Sequence, residues 1–132
     1  MRPLMLSLIL GVLLMSLTCT RSTQEADTTA AEYETRTSSG DIAFRLTPRR
    51  SGGRLILDIQ ADTHSGDLSE LNLKDLVVLR ADGRSYRPVE SPSLTGHHAQ
   101  GMVTFDVPGS SERLSITIAG VRGMSELTFD WP

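Results

Sequence analysis

Several residue types that would identify a protein class are scarce in this sequence. The 132 residues include a single cysteine, which excludes an internal disulfide framework and a cysteine-rich zinc site. Aromatic residues make up only 5% of the chain, and acidic residues outnumber basic ones, giving a net charge of −3. Nucleic-acid-binding proteins normally carry a basic surface, so we expect no nucleic-acid partner.

Long hydrophobic runs are also missing, apart from one near the N-terminus. Residues 4–17 read LMLSLILGVLLMSL. This run is short for a bilayer span, but it matches the apolar core of a signal peptide, with Arg2 before it and small polar residues after it. The sequence therefore predicts an exported protein with a signal peptide over residues 1–18.

The only cysteine, Cys19, directly follows this run. The arrangement resembles the signal of bacterial lipoproteins, in which the cysteine at this place carries a lipid. The flanking residues depart from the usual pattern, because Ser16 and Thr18 stand where Leu and a residue such as Gly, Ala or Ser are typical. We expect a lipid on Cys19 that anchors the protein to a membrane, facing the periplasm or the cell exterior. The alternatives are an ordinary cleaved signal with an incidental cysteine, or an uncleaved anchor.

Two further segments follow the predicted signal peptide. Residues 19–39 are rich in Thr, Ser and acidic residues and contain no large aliphatic side chain, which predicts a flexible tether. Residues 40–132 show a hydrophobic period of two, as in the alternation of Ile42, Phe44 and Leu46, which is typical of half-buried strands.

The period and the turn residues predict about seven antiparallel strands, at 41–47, 54–61, 75–80, 84–89, 101–107, 113–119 and 125–131. Asp82-Gly83 is a typical hairpin turn. Short strands at this spacing favour an all-β, immunoglobulin-like sandwich.

All three histidines fall in two segments of this domain. His64 follows the strand at 54–61, and His97 and His98 precede the strand at 101–107. If successive strands alternate in direction, both segments lie at one end of the sandwich, together with the loop at 120–124 and the exit of the tether. Loops at the end of a sandwich are a common place for a binding site.

Three short motifs carry a resemblance to a known group of proteins. They are Asp62-Thr63-His64-Ser65, Gly96-His97-His98 with Gly101 and Phe105, and Phe129 with Trp131. Together they resemble the DTHS, GHHxxG and FxW signatures of small exported bacterial β-domains, over most of residues 40–132. The resemblance implies a domain of that type and no particular activity.

The histidine segments suggest a metal site. Neutral imidazole and carboxylate are ligands for zinc and copper, and a methionine thioether at Met102 or Met124 would suit copper. The candidate ligands are Asp62, His64, His97 and His98. The alternative is that Asp62 and His64 hydrogen-bond the loop backbone and that the His-His pair forms a polar turn.

Catalysis has less support. Asp62, His64 and Ser65 are the residue types of a hydrolase triad, but residues so close in sequence rarely reach triad geometry, and no G-x-S-x-G motif is present. We therefore expect a non-enzymatic, lipid-anchored envelope protein with a zinc or copper site at one end. The alternative is a metal-free module that is structural or binds an envelope protein or glycan.

Overall fold

Alternating apolar residues form strands along most of the chain. The computed structural model describes residues 33–110 and 112–132. In chain order, the strands are β1 (Arg36–Thr37), β2 (Ile42–Ser51), β3 (Arg54–Thr63), β4 (Val77–Ala81), β5 (Arg84–Tyr86), β6 (His98–Asp106), β7 (Leu114–Ile118) and β8 (Leu127–Trp131). A 3-10 turn (Leu68–Glu70) and a four-residue helix, α1 (Leu73–Leu76), lie between β3 and β4. The predicted signal peptide, the lipid site at Cys19 and the tether up to residue 32 lie outside the described residues.

The strands form two antiparallel four-stranded sheets that pack as an all-β sandwich, as the sequence predicts. The first sheet has the order β1-β2-β3-β6 and the second β5-β4-β7-β8. If β1 is left aside and the strands are lettered from β2 as strand A, the first sheet is A-B-E and the second is C′-C-F-G. This is the arrangement of immunoglobulin-like domains. Backbone bonds between Glu90 and Thr104 add a one-residue bridge at the free edge of β6, in the position of strand D.

The core lies between the two sheets and follows the period-two pattern of the sequence. In β3, for example, Leu55, Leu57 and Ile59 are at most 1% exposed, while the intervening residues face outward. Phe129 and Trp131 of β8 are also buried, at 6% and 3%. These two aromatic side chains therefore belong to the core, as their phase in the sequence predicts.

The described residues form eight strands rather than seven, because the segment predicted as a tether supplies one. Arg36 and Thr37 pair with Leu46 and Arg45 of β2. Before this pair, the backbone N–H of Tyr33 donates to the carbonyl of Pro48. The folded domain therefore begins before residue 40, where the sequence interpretation placed its start.

The added strand reverses the direction from which the chain enters. We name the two ends of the sandwich by their loops: the histidine end, where β3 finishes and β6 begins, and the far end, with the turns Gly52–Gly53 and Asp82–Gly83. Because β1 is antiparallel to β2, the chain runs from Tyr33 towards the histidine end. The prediction that the tether leaves at the histidine end is therefore wrong, since it assumed that β2 was the first strand.

Trp131 fixes this N-terminal segment to the second sheet. Its indole Nε1 donates a hydrogen bond of 2.6 Å to the carbonyl of Glu34. Trp131 lies on β8, the edge strand of the second sheet, while β1 pairs with β2 of the first sheet. Residues 33–38 thus connect the two sheets along one open side of the sandwich.

The 11-residue connection between β5 and β6 is packed into the opposite side. Leu94 is 2% exposed, and the ring of Pro92 lies against Gly101 on the inner face of β6. A Cβ at Gly101 would be 2.5 Å from Pro92 Cβ and Cγ, so only glycine fits there. This packing sets the path of the chain into His97 and His98.

Candidate functional site

Asp62 and His98 lie opposite each other on neighbouring strands at the histidine end. Both strands are longer than predicted, so both residues lie in the β3–β6 ladder rather than in loops, and the register pairs them directly. His98 Nδ1 is 2.6 Å from Asp62 Oδ1. The side chains are 75% and 52% exposed, so the pair adds little stability. The contact orients the imidazole and leaves Nε2 as the nitrogen that can meet a ligand.

His97 has different surroundings from His98. Its carbonyl accepts a 2.8 Å hydrogen bond from the backbone N–H of Thr63. Its ring contributes to lowering the pKa of the Asp67 carboxyl, after the larger contribution of the hydrogen bonds donated by Ser69. His97 is thus held through its backbone by Thr63, whereas the ring of His98 is held by Asp62.

Thr63 is the structural residue of the DTHS motif. It is 3% exposed, and its hydroxyl lies 3.0 Å from the carbonyl of Asp41 and 2.7 Å from that of Ser65. The same hydroxyl accepts a hydrogen bond from the Ser65 backbone N–H. The alternative to a metal site was that Asp62 and His64 hydrogen-bond the loop backbone. In the structure, Thr63 makes these side-chain bonds to the loop backbone. His64 itself is exposed in the turn.

The histidine segments do share one end of the sandwich, as the strand count predicts. In the described ranges 33–110 and 112–132, however, no three His, Cys, Asp or Glu side chains are grouped so that they could hold one metal ion. The predicted set of Asp62, His64, His97 and His98 contains one paired unit, Asp62 with His98.

The two methionines considered as thioether ligands are separated in the fold. Met102 lies on the outer face of the first sheet and is 55% exposed, with its sulfur 3.3 Å from Arg49 Nη2. Met124 lies in the β7–β8 connection and lines a cleft at the histidine end.

This cleft has a volume of about 400 Å³ and opens between the β3–β4 and β7–β8 connections. That is near the lower end of the range of about 300–1,000 Å³ for ligand pockets, so it suits a small ligand or a protruding side chain. Five apolar side chains line it, four of them only partly buried against the core: Ile42, Leu71, Leu76, Val121 and Met124.

The charged residues that line the cleft are mostly acidic. Asp41 precedes β2, Asp67 and Glu70 belong to the β3–β4 connection, and Asp75 lies in α1. Arg122 is the one basic residue in the lining. An apolar floor therefore lies beneath a rim of mainly negative charge.

Asp67 joins this cleft to the histidine segment. Its Oδ1 accepts from the backbone N–H of Ser69 at 2.7 Å, where it caps the 3-10 turn, and from that of Gly96 at 3.2 Å. The Leu68 backbone N–H also donates to the Gly96 carbonyl. The wall of the cleft and the chain leading into His97 are thus held together.

Sequence reasoning did not identify the cleft, although part of the signal was present. The strand count placed the loops at 62–65 and 120–124 at one end, and both contribute to the cleft. The missing information was how the β3–β4 connection folds. Leu68 and Leu73 are buried, whereas Leu71 and Leu76 face the cleft, a split that periodicity in so short a segment does not reveal.

No family model, curated protein or solved structure significantly matches this chain. The resemblance to small exported β-domains therefore stays a prediction. Among the residues that the structure describes, no helix has the length and apolar character needed to cross a membrane.

Proposed function

We propose that the protein is a non-enzymatic binding module of the bacterial cell envelope, exported and held to the membrane by a lipid on Cys19. The cleft at the histidine end supports this proposal, because it is a formed cavity with apolar walls and charged side chains. Its surroundings are long connections, which are the parts of a sandwich that usually carry binding residues.

The direction of the N-terminal segment adds a second argument. Tyr33 pairs with Pro48, nearer the far end than Ser38, which pairs with Phe44. A membrane anchor at Cys19 would therefore pull on the domain from the side of the far end. The cleft and the histidines would then face away from that membrane, where they can meet a partner.

The anchor is tested by intact mass and peptide mass spectrometry of the protein purified from bacterial membranes. The expected result is a mature chain that starts at Cys19 and carries acyl groups. A mature chain that starts beyond residue 19, or an unmodified cysteine, would reject the lipid anchor without affecting the cleft.

The binding role is tested by photo-crosslinking in the cells that produce the protein. A photoreactive amino acid at Arg122, beside the cleft, should give discrete crosslinked products. The same probe at Arg84, in the far-end hairpin, is the matched control and should give none at comparable yield. Equal crosslinking from both positions would argue against a binding surface at the histidine end.

The Asp62–His98 pair favours a second candidate function, binding of zinc or copper. Histidines that bind metals commonly hold a carboxylate through one ring nitrogen and the metal through the other. On this arrangement Asp62 orients His98, and Nε2 of His98 is the ligand atom. His64 or a donor from a partner would have to complete the coordination.

Thermal unfolding with added Zn²⁺ or Cu²⁺ tests this second candidate. A metal that binds only the folded chain raises its melting temperature, and His98→Ala should abolish the rise. Tyr86→Phe, away from the histidines, is the control and should keep the rise. If neither ion stabilises the unaltered protein, the metal hypothesis fails.

A further inference from the structure

The lining of the cleft specifies a ligand more closely than its volume does. Its floor contains the partly buried side chains of Ile42, Leu71 and Leu76, and Met124 adds a flexible thioether at the side. Such a surface favours an aliphatic group, because binding then removes apolar area of both partners from water.

The rim favours a positive charge on the same ligand. Of the four acidic residues that line the cleft, Asp67 and Asp75 already accept hydrogen bonds, from Ser69 and Asn72 respectively. The carboxylates of Asp41 and Glu70 are exposed and form no hydrogen bond within the described ranges 33–110 and 112–132. They are therefore available to a donor that enters the cleft.

We propose that the cleft binds a lysine or arginine side chain of another polypeptide, with the aliphatic stem on the apolar floor and the cation at Asp41 and Glu70. The proposal rests on the binding-module function and names the chemistry of its partner. Lysine and arginine match the site because each combines a long apolar stem with a charged end. The acidic rim would also repel an anionic segment, which provides selectivity.

Nuclear magnetic resonance titration of the mature protein with short peptides tests this proposal. The probes are acetylated and amidated pentapeptides with glycine around one central residue, either lysine, arginine or norleucine. Norleucine keeps the apolar stem of lysine and lacks its charge. The methyl signals of Leu71, Val121 and Met124 report on the cleft, and those of Leu55, buried at the far end, are the internal control.

The lysine and arginine peptides should shift the cleft methyl signals, and norleucine should bind about tenfold more weakly, which corresponds to loss of a favourable charge interaction. Raising the salt concentration should weaken binding of the lysine and arginine peptides and leave binding of the norleucine peptide unchanged. Combining Asp41→Asn with Glu70→Gln should reduce binding of the lysine peptide to the level of norleucine. Glu112→Gln, at the far end, is the matched control and should leave it unchanged.

Three results would overturn the inference. Norleucine binding as tightly as lysine would show an apolar site. An unchanged affinity in the Asp41→Asn, Glu70→Gln variant would place the cation elsewhere. Unmoved cleft signals with both basic peptides would mean that no such side chain binds. Crosslinking from Arg122 in cells tests the binding-module function separately. That function would stand if crosslinking succeeds while the peptide titration fails.

Discussion

The two ends of the sandwich differ in how the chain reverses direction. At the far end, β2–β3 and β4–β5 turn through Gly52–Gly53 and Asp82–Gly83, and all four residues have positive φ. Such two-residue turns match the twist of the strands. The third far-end connection, between β6 and β7, is longer. At the histidine end the connections are long, at residues 64–76, 87–97 and 119–126.

The long connections at the histidine end are held firmly to the core. Each places at least one apolar side chain in the core: Leu68 and Leu73 in the first, Leu94 in the second and Val121 in the third. The two far-end turns depend on positive φ alone, whereas the histidine-end connections combine positive-φ glycines, such as Gly96 and Gly120, with buried anchors. Substitution of an anchor should therefore disturb the candidate site.

Leu94→Ala should have the largest effect. Leu94 is 2% exposed, and truncation of a buried leucine costs about 2–5 kcal/mol because it removes apolar contacts and leaves a cavity. Urea unfolding measures the loss in the free energy of unfolding. Thr95→Ala, at the exposed next position, should change it by less than about 0.5 kcal/mol. Equal effects at the two positions would show that Leu94 does not anchor the connection.

Gly101→Ala should have the next largest effect, about 1–3 kcal/mol of destabilisation from overpacking. The added methyl would lie 2.5 Å from two atoms of the Pro92 ring, which cannot rotate away. The free energy of unfolding should recover in part when Gly101→Ala is combined with Pro92→Gly, relative to the sum of the two single changes. If the two changes in the free energy of unfolding are strictly additive, contact with Pro92 is not the cause of the destabilisation by Gly101→Ala.

The β-sandwich could be predicted from the sequence because its strands alternate apolar and polar residues clearly. Leu55, Leu57 and Ile59 show this best, and β3 lies near its predicted bounds. Strand β1 could not be predicted, because Arg36 and Thr37 carry no apolar alternation. Its pairing depends on backbone bonds to β2 and on a contact from Trp131, which is distant in sequence.

The candidate site was only partly predictable for a related reason. Strand direction is enough to bring the segments around His64 and His98 to one end, and the structure confirms this juxtaposition. Which side chains then meet depends on register. Asp62 pairs with His98 because both strands extend beyond the apolar run that marks them in the sequence.

Trp131→Phe should lower global stability through the lost hydrogen bond, about 0.5–1.5 kcal/mol, and through the space that the smaller ring leaves in the core. Its main result should be local, since the 2.6 Å bond to the Glu34 carbonyl holds the N-terminal segment. We expect faster amide hydrogen exchange at Ser38, with little change in β3. Glu34→Gln keeps the carbonyl and should keep the protection; loss of protection in both variants would exclude the indole bond as its cause.

Asp67→Asn should give the smallest effect, and one that depends on pH. Hydrogen bonds from Ser69 lower the pKa of the Asp67 carboxyl from its ordinary value of 3.8. The stabilisation by its negative charge is thus complete above pH 3.8 and is lost as pH falls through the lower pKa of the folded protein. Asparagine keeps an acceptor for Ser69 without the charge, so the melting temperature of Asp67→Asn should fall below that of the unaltered protein at pH 6 and approach it at pH 2–3. A difference that stays constant over this range would mean that the charge of Asp67 does not contribute to the joint between the cleft and the histidine segment.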